Sequence, residues 1–262
     1  MEIIGFALVG FIAGGVVNWL ADILPIYGDW EQPHCHACRA PRPFNAWLGT
    51  LALITGSWRC AYCGSPRRIR LIIVELVAAA AAVILYLTEW GLMGFGASYF
   101  ILLVFLLLTI TDFEHRLIPH AISLPAIVIV MALASLNPTR GPEKTLLGGL
   151  AGFGLVFLLY LFGELYSRWQ ARRRGEPLEE VAFGFGDVTL ATLIGVAVGW
   201  PAVILAIMIG VLTAGGFSLA YILWMLIRGR YQPHLPIPYG PFLIFGALVV
   251  YLGGRGFFQT FA

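Results

Sequence analysis

Residues 201–227, PAVILAIMIGVLTAGGFSLAYILWMLI, carry no charged side chain over 27 positions. About 20 mostly apolar residues are enough to cross the hydrocarbon core of a bilayer. The pattern repeats along the chain, with apolar segments at about 3–24, 71–88, 93–111, 118–136, 144–165, 187–199, 201–227 and 240–258. Charged residues make up 11% of the 262 positions, and mean hydropathy is +0.87. A soluble domain carries about 25% charged residues. These features exclude a soluble domain with a single anchor. Lipid cannot satisfy open backbone groups, so every span must be a helix. The expected fold is therefore all-α and polytopic, a single membrane domain over 1–262 with about eight transmembrane helices. The sixth segment is short, and Pro201 is its natural stop; a proline that only kinked one long helix would reduce the count to seven. The start, MEIIGFALVG, has no basic region and no small-residue cleavage site, and reads as a retained first helix.

The basic residues orient the bundle. With eight spans, 13 of the 16 Lys and Arg residues fall on one side: Arg39, Arg42, Arg59, Arg67, Arg68 and Arg70, then Arg116, four arginines at 168–174, and Arg228 and Arg230. The remaining 3 are Arg140, Lys144 and Arg255. Positive loops stay in the cytoplasm, so both termini are expected outside. Loops 25–70, 112–117, 166–186 and 228–239 then face the cytoplasm. The arginine-rich stretches RRIR and RWQARRR flank spans, so topology explains them and no nucleic-acid partner is expected.

All four cysteines lie in the first of these loops, as CHAC (Cys35, Cys38) and CAYC (Cys60, Cys63). Two C-x2-C knuckles can surround one zinc ion tetrahedrally. The reducing cytoplasm argues against structural disulfides. The other readings are a pair of redox dithiols or unligated thiols. His34 and His36 flank the first knuckle and offer substitute ligands. Residues 28–69 thus read as an inserted zinc-ribbon-like loop between helices 1 and 2. A loop of that size has little core of its own, and a metal offsets the deficit.

Only four aspartates occur: Asp22, Asp29, Asp112 and Asp187. Asp112 closes one apolar run, and Asp187 opens another of opposite direction after GFG. About 13 apolar residues, roughly 20 Å of helix, separate each from the outer end of its span. Both then sit at similar depth near the cytoplasmic boundary, where an ionisable group marks a functional site. Two carboxylates that meet share a proton: one acts as a base that activates water, the other as an acid that polarises a peptide carbonyl. The bland readings are an interfacial Asp112 paired with Arg116 and an Asp187 that caps a helix. Gly184 and Gly186 would let an extended substrate backbone approach Asp187, or let the chain take positive φ.

These residues resemble a known family. GFGD at 184–187 matches the G-x-G-D motif of polytopic membrane aspartyl proteases. DFEHRLIPH at 112–120 resembles the partner motif of the prepilin peptidases, D-x-D/E-x-x-x-x-P-D. The paired CxxC knuckles, RLIIVEL at 70–76 with Arg70 and Glu75, IPYGPFLIFGAL at 237–248, and Asn18 and Pro25 also follow the family pattern in order. The resemblance implies a leader peptidase of the bacterial cytoplasmic (inner) membrane, acting on type IV prepilins or type II secretion pseudopilins, with Asp112 and Asp187 as the catalytic pair. It also implies that S-adenosylmethionine serves a second activity, methylation of the new N-terminal amine, which many members with the cysteine loop carry. No independent methyl-donor site is evident in the sequence. The alternatives are a catalytically altered homologue that acts as an assembly or binding protein, and a GxGD peptidase for other membrane peptides.

Four positions depart from the pattern. His120 stands where an acidic residue is usual, Thr189 where a lysine follows G-D, Ile23 in place of an arginine, and Ile72 in place of a proline. None removes a carboxylate of the expected pair, but a cation two residues from Asp187 would have helped to keep one aspartate ionised.

Overall fold

The computed structural model describes residues 2–24, 32–43, 47–88, 92–138, 140–174, 184–229 and 238–257. Among them the only extended pairing is two isolated bridges, and the rest is helix and turn. The helices are α1 (Glu2–Ile23), α2 (Gly49–Ile54), α3 (Arg70–Thr88), α4 (Phe95–His115), α5 (His120–Ser135), α6 (Gly141–Arg174), α7 (Phe185–Val198), α8 (Ala202–Ile227) and α9 (Gly240–Phe257). Pro25 and the expected loop residues 175–183 and 230–237 lie outside the described residues.

The chain is a multi-pass helical membrane protein. Five helices are long and apolar enough to cross a membrane: α1, α3, α4, the Gly141–Trp169 part of α6, and α8. His120–Ser135, Phe185–Val198 and Gly240–Gly253 are shorter apolar helices. All eight apolar segments of the sequence are thus helical, and the sixth and seventh are separate helices. Gly199 ends α7 in a left-handed conformation, φ +78°, and Pro201 precedes the first residue of α8.

Two boundaries differ from the sequence expectation. α4 runs one turn further, so Asp112 lies within its last turn. α6 extends to Arg174 rather than ending near 165. Its polar continuation is held by an i,i+4 ion pair between Glu164 and Arg168 and by the Arg173 guanidinium over the Trp169 ring, 3.9 Å from its centroid.

The chain forms two compact units, Met1–Thr111 and Asp112–Ala262. In the first, α1 packs along α3. Gly10 and Gly14 make this possible: a Cβ on Gly14 would lie 2.6 Å from the Glu75 Cα, and one on Gly10 2.4 Å from the Ala79 Cα. Close backbone approach through small residues is how membrane helices associate without a hydrophobic driving force. The opposite stripe of α1, Ile4, Leu8 and Ile12, is exposed, as a lipid-facing surface should be. Polar residues tie the unit together at the start of α3. Asn18 donates to the Leu71 carbonyl, and Arg70 pairs with Asp22. The fully buried Glu75 accepts the Gly49 and Thr50 amides at the start of α2. α2 is a short element that the apolar pattern did not single out.

In the second unit, α7 is the central element and packs against α5, α6, α8 and α9. Every residue from Val188 to Val198 except Thr192 is buried. Its crossing with α6 is again backbone on backbone, since a Cβ on Gly195 would lie 2.1 Å from the Gly148 carbonyl oxygen.

Candidate active site and metal centre

Asp112 and Asp187 both belong to the second unit, one in the last turn of α4 and the other in the first turn of α7. Asp112 is 6% exposed. Its Oδ2 accepts the Gly240 amide at 3.0 Å. That amide opens α9, with Pro241 next to it in the position where a missing N–H costs nothing. The positive end of α9 therefore points at the Asp112 carboxylate. A Cβ on Gly240 would lie 2.6 Å from Asp112 Oδ2, so the contact requires glycine.

Asp187 is not the N-cap of its helix. Gly184 holds that position, and Asp187 is the third helical residue, reaching back to accept the Gly184 amide at 2.9 Å. This is half of a capping box. Each aspartate thus spends Oδ2 on one backbone donor at a helix start, leaving its Oδ1 outside these bonds.

The other residues singled out in the sequence divide. Gly184 has φ −87°, and neither it nor Gly186 takes positive φ, so that reason for the glycines is not the one at work. Gly186 instead admits Ile118, whose Cβ would be 3.0 Å from an added Cβ. Gly184 is exposed beside Asp187. Among the described residues no ion pair joins Arg116 to Asp112; Arg116 donates its amide to the Asp112 carbonyl and is exposed. The His120 ring meets Phe185 edge-on at 5.7 Å, next to the GFGD turn.

Thr189 has a structural account. It is buried, donates to the Gly186 carbonyl at 2.8 Å, and lies 3.3 Å from the Ser123 hydroxyl of α5. A neutral pair of hydroxyls fills the place where a lysine was expected. Sequence reasoning missed Ser123, and it took Gly240 only as part of IPYGPFLIFGAL, without its contact to Asp112. For Gly240 the available signal was the G-P pair at the start of an apolar run.

In the first unit the four cysteines converge. All four Sγ atoms lie within 4.8 Å of one another, with Cys35 to Cys63 and Cys38 to Cys60 both at 3.7 Å. Zinc–sulfur bonds of about 2.3 Å in a tetrahedron put sulfurs roughly 3.8 Å apart, so the cluster fits one such ion. The two knuckles share one construction. In each, the residue after the second cysteine is left-handed, Arg39 at φ 57° and Gly64 at φ 70°, and donates its amide to the carbonyl of the first cysteine. Bridges His34–Pro41 and Arg59–Pro66 close them. Burial pushes the Cys35 thiol up, but the Cys38 and Ala37 amides, helped by neighbouring thiols, bring it down to about 6. Four sulfurs this close cannot all carry negative charge unless a cation sits among them. Neither His34 nor His36 joins the cluster; the His34 ring lies 3.1 Å from the Gln32 carbonyl instead.

The fold and these residues define a class: a polytopic helical membrane protein with two aspartates at helix ends of one unit and a cysteine cluster able to hold one metal ion. Comparison with known proteins narrows it. The type IV leader peptidase family model matches residues 99–219, a span that includes both aspartates. Curated relatives named prepilin leader peptidase/N-methyltransferase extend the match. That of Aeromonas hydrophila is 25% identical over 85% of this chain and 70% of its own length. The Burkholderia pseudomallei protein is 27% identical over 86% and 67%. The Vibrio cholerae protein is 26% identical over 95% of this chain and 96% of its own. No solved structure matches. The chain thus resembles the prepilin leader peptidases, over residues 99–219 by the family model and over most of its length by the relatives.

Proposed function

We propose that the chain is a membrane aspartyl endopeptidase that removes the leader of type IV prepilins or type II secretion pseudopilins, with Asp112 and Asp187 as its catalytic pair. The observation that carries this reading is that the two aspartates stand at helix ends of one compact unit, each accepting a helix-start amide. A single backbone donor fixes each carboxylate without neutralising it. The pair shares a proton, one member activating water and the other polarising the scissile carbonyl. Gly184, exposed and without a side chain, leaves room for an extended substrate backbone beside Asp187; Gly186 supports the same turn from the Ile118 side. The leader carries the basic charge and the mature segment is apolar, so cleavage at the cytoplasmic ends of the helices suits the arginine distribution.

The relatives are named N-methyltransferases as well as leader peptidases; in this chain the second activity would be methylation of the new N-terminal amine, with S-adenosylmethionine as donor. Cys35, Cys38, Cys60 and Cys63 would hold zinc, which supplies a structural cross-link between the knuckles of an inserted loop, 28–69, in an otherwise continuous membrane domain. The chain is a multi-pass protein of the inner membrane, and its active-site end faces the cytoplasm.

Incubating the purified protein with a prepilin and S-adenosylmethionine, then weighing the product, tests both activities. Loss of the leader mass supports the peptidase, and one added methyl supports the transferase. Intact prepilin would contradict the proposal.

A further inference from the structure

We propose that Arg140 is a positioning residue for Asp187, acting from the far end of α7. The proposal rests on Asp187 belonging to the peptidase site. Arg140 lies in the connection between α5 and α6, and its guanidinium reaches across to the last turn of α7. Nη1 donates to the Ala197 carbonyl at 2.5 Å and Nη2 to the Val196 carbonyl at 2.9 Å. The last carbonyls of a helix have no intrahelical donor and carry the negative end of its dipole. The planar guanidinium fork serves two of them at once.

The local chain is shaped around this contact. Gly199 turns away at φ +78°, and a Cβ there would lie 2.5 Å from Arg140 Nη2. The Trp200 amide then donates to the Lys144 carbonyl at 2.9 Å, fastening the exit of α7 to α6. Arg140 Nε is buried with no acceptor among the described residues, so the guanidinium is held in place at a polar cost.

An anchor matters because of how α7 packs. Its closest approaches to α6 are on glycine and alanine backbone: a Cβ on Gly152 would lie 2.2 Å from the Ala191 carbonyl oxygen, and Gly148 faces Gly195, with the Val196 side chain against Gly149. Such a face brings the helices close through non-directional packing. The polar anchor at the C-terminal end adds two directional bonds that fix where α7 sits along its axis. Asp187 precedes Ala197 by about 15 Å of helix, and a slip of one residue would move its carboxylate by about 1.5 Å. Displacements of about 1 Å cost on the order of 100-fold in rate.

The test compares wild type, Asp187→Asn, Arg140→Met, Arg140→Lys and Gly199→Ala in prepilin cleavage across a range of pH. Arg140→Met and Gly199→Ala should each lower the maximal rate by about 100-fold. They should also change the shape of the pH–rate profile, because the coupling between the two aspartates depends on their separation. Arg140→Lys, which keeps the charge and a donor at the helix end but loses the planar fork, should recover only part of the rate. Mere loss of folded enzyme would scale the profile without changing its shape. Profiles of wild-type shape in Arg140→Met and Gly199→Ala, at any amplitude, would overturn the proposal. If Arg140→Met does not fold, Gly199→Ala and Arg140→Lys decide by the same readout. An Asp187→Asn enzyme with full activity would instead overturn the catalytic assignment, so the two failures are distinguishable.

Discussion

At the scale of single residues, the proposed site is two aspartates and the amides that orient them. Asp112 and Asp187 were legible in the sequence because charge is so scarce: two of only four aspartates stand at the ends of apolar runs. Gly240 was not, because it meets Asp112 across 128 positions and no local periodicity marks such a contact. Gly240→Ala should leave the protein in the membrane but lower kcat by roughly 10- to 100-fold, since the new methyl must displace the Asp112 carboxylate or the start of α9. Unchanged kcat in the purified variant would show that the contact does not orient Asp112. Thr189 was read only as a missing lysine; its partner Ser123 comes from another helix and explains the substitution. Thr189→Val should cost about 1–2 kcal/mol, the value of the two neutral hydrogen bonds that its hydroxyl makes, seen as a small fall in detergent melting temperature with cleavage retained.

Among the elements, the helices themselves were legible and their ends less so. The apolar runs located all eight, and Pro201 correctly separated α7 from α8. α6 overran its apolar segment because hydropathy does not register the Glu164–Arg168 pair or the Arg173–Trp169 stack that continue the helix. α2 escaped notice because its stability comes from Glu75, 25 or 26 positions away, rather than from its own six residues. The glycine crossings were equally silent, since a chain with 31 glycines gives no hint which two will touch. Gly195→Leu should destabilise the α6–α7 crossing by about 3 kcal/mol or more through overpacking, measurable as loss of monodisperse protein in detergent; normal recovery and melting would contradict the packing described. The cysteine knuckles were legible from spacing alone. Purified protein should contain about one zinc per chain, and Cys60→Ser should lose most of it. Equal zinc content in the two proteins would remove the metal assignment.

On the scale of the whole molecule, the chain's character follows from where charge is allowed. The apolar helices exclude it, the basic residues collect in alternate loops, and the carboxylates that remain at helix ends are oriented by backbone donors. Residues 99–219 match the type IV leader peptidase family, and the relatives are named prepilin leader peptidase/N-methyltransferase; which prepilin the chain would cut is a property of the substrate that no spacing in this chain encodes. The central claim is that Asp112 and Asp187 together cut a prepilin. The most direct measurement is cleavage of a purified prepilin by wild type, Asp112→Asn and Asp187→Asn at matched concentrations of folded enzyme, read by product mass. The account predicts leader removal by wild type and none by either variant, because each role in the pair needs an ionisable carboxyl. Full cleavage by either asparagine variant would contradict it.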